Sequence, residues 1–133
     1  MNELSRIVID YFNGKDYDIN TIAKEIDDLK IDVLKDYLEN SDDDKHYVIK
    51  RSGNLELYSA DKIARSIKNA ADRNDQYLNS SDVDILMEDV NKSMDQLSRK
   101  VYPTYEIKEF VKEALKNEGY SKIYDSYVSY IQV

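Results

Sequence analysis

The chain has 133 residues, 27 acidic against 19 basic side chains and a formal net charge of −8, which suits one domain or one domain with a small appendage and disfavours general binding to nucleic acid or anionic lipid. Three glycines and one proline are too few for a barrel or sandwich, and the absence of cysteine excludes a disulfide scaffold, a thiolate zinc site and a cysteine nucleophile. The single histidine disfavours histidine-based metal or triad chemistry, and with no membrane-length apolar run and no signal-peptide order at Met1–Arg6, the expected setting is cytoplasmic, without membrane.

Charge is uneven along the chain: residues 1–46 hold 13 acidic and 6 basic side chains, residues 47–133 hold 14 and 13. In the acidic third, apolar residues at 4, 7, 8, 11 and 12 have helical spacing and Gly14 is a reasonable stop. Asn20 is expected to cap a short helix with Ile22, Ala23 and Ile26 inward, and a third helix follows with Ile31, Val33, Leu34, Tyr37 and Leu38. The run Asn40-Ser-Asp-Asp-Asp-Lys45 reads as a solvated linker and sets the boundary between residues 1–45 and 46–133.

From Tyr47 the pattern turns to short β-branched or alternating stretches around Arg51-Ser-Gly-Asn54, a hairpin signal. Ser59 is then an N-cap for a helix burying Ile63, Ile67, Ala70 and Ala71. Ser80 or Ser81 starts a longer helix with Val83, Leu86, Met87, Val90, Met94 and Leu97 on one stripe, the methionines as packing. Pro103-Thr104 restarts the chain into a helix with Ile107, Phe110, Val111, Ala114 and Leu115, closed by Gly119. The last helix carries Tyr120, Tyr124, Tyr127 and Tyr130 at steps of three and four, the spacing of a packed seam more than of a base-stacking platform. The expected fold is mainly α (α+β): a hairpin and four helices, preceded by a small helical extension.

Lys50 and Arg51 sit at the hairpin turn beside Gly53, and Lys62 falls in the first turn of the next helix. Charged turn residues commonly serve solubility alone. Against that reading, a cation at a helix start opposes the helix dipole, whereas the free N–H groups there welcome an anion. If the hairpin folds over the helix start, the three cations converge on a site suited to polyphosphate. No phosphate-binding loop of the G-x-x-x-x-G-K-[ST] type occurs.

Val48-Ile-Lys-Arg-Ser-Gly53, Glu56, Tyr58, Asp61-Lys-Ile63, Ile67 and Ala70-Ala71 resemble the opening of the ATP-cone domain. The likeness continues through Pro103-Thr104, Ile107, Val111, Ala114-Leu115 and Gly119-Tyr120 to the tyrosine-rich end, covering about residues 47–131. ATP-cones are nucleotide-sensing modules of ribonucleotide reductases and of a zinc-ribbon repressor of reductase genes. The resemblance implies a non-catalytic module that binds ATP or dATP, with Mg²⁺, and controls oligomerisation or a partner such as ribonucleotide reductase. It implies that Lys50, Arg51 and Lys62 hold the triphosphate and Thr104 adds a hydroxyl. It further implies that Glu56 and Ser59 read the adenine edge while Ile63 and Val48 wall the base. Ser52 stands where the family has aspartate, the terminal arginine of many members is missing, and the repressor's cysteine pairs are absent.

Two other readings accompany this one. Residues 18–38 have a helix–turn–helix cadence, which gives a nucleotide-responsive DNA-binding regulator. The face it would present, Asp32, Lys35, Asp36 and Glu39, is repelled by phosphates, so a protein-contacting extension is the preferred role. A degenerate cone serving only as an interaction domain is the third reading. Glu56 lacks a partner carboxylate or nucleophile, so the chain is not read as an enzyme.

Overall fold

A computed structural model describes residues 1–42 and 44–131. The side chains of Tyr130 and Ile131, the residues Gln132 and Val133 at the end where many family members carry an arginine, and Asp43 of the acidic run lie outside the described residues. The chain is mainly helical, with a small three-stranded sheet: α1 (Glu3–Asn13), α2 (Ile19–Glu39), β1 (Tyr47–Ile49), β2 (Leu55–Leu57), α3 (Ala60–Arg73), α4 (Ser80–Leu97), β3 (Val101–Pro103), α5 (Thr104–Asn117) and α6 (Ser121–Ile131).

The N-terminal region departs from expectation. The two short helices expected after Gly14 are one helix, α2, capped by Asp18, whose side chain accepts from the Thr21 N–H at 2.8 Å; Asn20 already lies inside it. No glycine or proline interrupts residues 19–39, and the Lys24–Asp28 pair at 3.0 Å spans the expected break. Ala23, Ile26 and Val33 are exposed instead of inward. Tyr37 is exposed as well, whereas Ile22, Ile31, Leu34 and Leu38 are half-buried, as the sequence suggested. Its C-terminal end is tied to β3 by Glu39, whose carboxylate accepts from the backbone N–H groups of Lys100 (2.9 and 3.0 Å) and Val101 (2.9 Å).

β1 and β2 pair antiparallel with Val48 opposite Glu56. Their turn is closed by Gly53 N–H to Lys50 C=O and Lys50 N–H to Asn54 C=O, both 2.8 Å. Gly53 takes φ +88°, which a side chain would strain. The sheet has a strand beyond the expected hairpin: β3 pairs parallel to the other edge of β1, Tyr47 opposite Val101 and Ile49 opposite Pro103. Proline is tolerated because it closes an edge strand.

The core lies among α3, α4, α5 and α6 with β3. Ile67, Leu86, Val90, Tyr102, Val111 and Leu115 are fully buried, and the Tyr102 hydroxyl donates to the Met94 carbonyl at 2.9 Å. Met87 and Met94 pack in this core; Tyr127 is buried and Tyr120 and Tyr124 are half-buried against it. Ser59 caps α3. α4 starts at Ser80, one of the two expected starts, and is capped by Asn79 in a reciprocal capping box with Asp82.

Candidate functional site

Val48 of β1 and Lys50, just past the strand's end, both line one cavity, with Ile49 between them turned into the interior at 2% exposure. Glu56, cross-strand from Val48, lines the same cavity as these two residues. The cavity, about 570 Å³, lies between this hairpin face and the starts of two helices. α3 contributes Ser59, Lys62 and Ile63, and α5 contributes Thr104, Ile107 and Lys108. Ser66 and Tyr127 also line it, with Tyr58 at its edge.

Seven of the eight expected residues therefore meet there: Val48, Lys50, Glu56, Ser59, Lys62, Ile63 and Thr104. Arg51 is the exception. It follows Lys50 into the turn beyond β1, is exposed, and does not line the cavity.

Glu56 organises the cations. Its carboxylate stands 2.8 Å from Lys50 Nζ and 3.6 Å from Lys62 Nζ. The Lys50 hydrogen bond, with the charges of both lysines, holds the Glu56 carboxyl below the usual carboxylate value against a smaller opposing effect of desolvation. An anion entering the cavity therefore competes with Glu56 for both ammonium groups, and releasing Glu56 frees an acceptor for a donor-bearing ligand edge.

The two helix starts differ. At α3 the Ser59 hydroxyl accepts from the Lys62 N–H at 3.3 Å, whereas α5 follows Pro103 with no side-chain cap. The first-turn N–H groups of α5 thus keep the anion affinity of an uncapped helix start, beside Lys108. The Thr104 hydroxyl donates to the Ile49 carbonyl at 3.2 Å, which ties this helix start to β1 and commits its hydrogen in this state.

Two tyrosines, Tyr58 and Tyr127, line the cavity. Burial pushes the Tyr127 hydroxyl up to about 12, with hydrogen bonding to Ser66 acting the other way. Tyr58 donates from its hydroxyl to Asn91 Oδ1 at 3.1 Å, fixing the β2 exit to α4. Sequence reasoning missed Lys108, Ser66 and Tyr58 as lining residues and assigned Tyr127 to packing alone. Lys108 could have been found from its place one turn after Thr104 on the same helix face.

The ATP cone domain family matches this chain over residues 46–133. No curated protein matches it. ATP cone domains are regulatory, non-catalytic modules that bind ATP or dATP as effectors. The matched segment is most of the chain and carries the hairpin, both helix starts and the cavity; the chain belongs to the ATP-cone family.

Proposed function

We propose that the cavity under the hairpin binds ATP or dATP, and that binding sets the oligomeric state of the protein or its hold on a partner such as ribonucleotide reductase. Residues 46–133 act as the sensor and residues 1–45 as a helical extension that contacts protein. Lys50 and Lys62 take the triphosphate, with Lys108 and the uncapped start of α5 facing its far end. Thr104 contributes its hydroxyl once the Ile49 carbonyl releases it, and Arg51 adds only its field from the turn. Glu56 and Ser59 read the adenine edge, between Val48 and Ile63. Magnesium accompanies the nucleotide, held by phosphate oxygens and water.

The observation that supports this reading is the convergence of seven residues, spread from Val48 to Thr104, on one cavity at two helix starts. Cations and apolar side chains lining one cavity match a polyphosphate joined to a flat base. The alternative of a DNA-binding extension loses support, since the expected helix–turn–helix at 18–38 is the continuous α2. Calorimetric titration with ATP, dATP and GTP in magnesium tests the proposal. The expected result is saturable binding of ATP and dATP and weaker binding of GTP. Absence of heat with both adenine nucleotides at millimolar concentration contradicts it.

A further inference from the structure

Neither α1 nor α2 contributes a buried side chain, although both are rich in apolar residues. α2 is apolar on two separate faces. Ile31, Leu34 and Leu38 lie half-buried toward the side where Glu39 reaches β3. On the other face Ile19 is 75% exposed and Ile26, Leu29 and Val33 are each more than 40% exposed. An amphipathic helix needs one covered face, so the second apolar face implies an occupant.

The residues on that face say which. Ile19, Ile22, Ile26, Leu29 and Val33, exposed except for the half-buried Ile22, alternate in steps of three and four, the seam of a heptad repeat. Its first core positions, Ile19, Ile26 and Val33, are all β-branched, and its second are Ile22 and Leu29. In parallel coiled coils, β-branched residues at the first position with leucine at the second favour two strands; Leu29 follows this pattern and Ile22 departs from it. One edge of the seam carries Glu25 and Asp32, and the other carries Ala23, Lys30 and Tyr37. Two antiparallel copies would set the acidic edge against itself. Two parallel copies set Glu25 against Lys30 of the second copy.

We propose that the exposed face of α2 is a docking surface for a second copy of this chain, paired in parallel along a seam from Ile19 to Val33. Asp36 at the next core position ends the seam. The stem of Lys30 lies over Gly53, so the seam's edge touches the hairpin turn next to Lys50. The pairing does not rest on the nucleotide reading and forms without nucleotide.

Sedimentation of the full chain in nucleotide-free buffer tests it. Twice the chain's mass is expected, with I26E and V33E each shifting the protein to monomer while helical circular dichroism and the main melting transition stay unchanged. The chain has no cysteine, so V33C supplies a single thiol. A parallel seam brings this thiol against its own copy and gives a disulfide-linked dimer on mild oxidation, whereas D27C, off the seam, does not. A monomeric native chain, a dimer that survives I26E and V33E, or equal cross-linking of V33C and D27C would overturn the proposal. Loss of nucleotide binding in a separate titration would leave these outcomes unaffected.

Discussion

Glu56 Oε1 lies 2.8 Å from Lys50 Nζ, so the acid of one strand neutralises the cation at the end of the other across the mouth of the cavity. Lys62 at 3.6 Å completes a three-charge group in which one carboxylate holds two ammonium groups in place. The pair is partly exposed, and solvent limits its contribution to stability. Its importance is positional: it keeps two cations at the cavity before any anion arrives.

Replacing Glu56 by Gln separates its two roles. Lys50 and Lys62 are released, so inorganic triphosphate binds more tightly. Discrimination of ATP over GTP falls by roughly tenfold, corresponding to a loss of about 1.4 kcal/mol in the difference between their binding free energies, the scale of one hydrogen bond to a charged group. Calorimetry with the three ligands measures both effects.

Lys50→Ala, Lys62→Ala and Lys108→Ala each weaken ATP binding by about 1.5–3 kcal/mol, the range of charge-assisted contacts. Arg51→Ala, one residue outside the cavity, changes it by about 0.5 kcal/mol or less, as for an exposed charge. Titrations of the four variants side by side check the ranking. Equal losses at Arg51 and Lys50 would place the phosphates on the turn instead.

The acid and alkaline limbs of stability have separate origins. The folded-state value of Glu56 lies below the ordinary 4.5, so its ion pairs stabilise the fold above pH 4.5 and are lost as pH falls through the lowered value. Tyr127 behaves oppositely. Raised from 10.0 to about 12, it stabilises the neutral-phenol fold below pH 10 and loses that contribution as pH rises towards 12. Thermal melts across pH should show Glu56→Gln flattening only the acid limb and Tyr127→Phe only the alkaline one.

Glu39→Ala leaves the backbone N–H groups of Lys100 and Val101 without their carboxylate acceptor, a loss of about 1–3 kcal/mol for part-buried donors. The effect is local to the joint between α2 and β3. Hydrogen exchange should accelerate at Lys100 and Val101 and along α2, while Val111 and Leu115 in α5 keep their protection.

The hairpin and its cations were legible because their signals are local: a glycine at positive φ between two short apolar stretches, then a serine cap. The third strand was not. Val101-Tyr102-Pro103 is only three residues long, ends in proline, and pairs with a strand far away in sequence, so no local periodicity marks it. The same distance hid the tie from Thr104 to the Ile49 carbonyl. α2 was divided because its apolar residues serve two faces, and their superposed periods look like two helices in succession. Where Arg51 would lie was not legible from its pairing with Lys50 in sequence: β1 ends at Ile49, and Arg51 is exposed in the turn and does not line the cavity.

The central claim is that one cavity, between the hairpin and the starts of α3 and α5, receives the nucleotide. Amide chemical-shift mapping during an ATP titration in magnesium tests it most directly. The account predicts saturable shifts at Lys50, Glu56, Lys62, Thr104 and Lys108, with Asp84, Glu88 and Lys92 of α4 unmoved. Shifts centred on those α4 residues, with the hairpin and the α5 start unchanged, would contradict it.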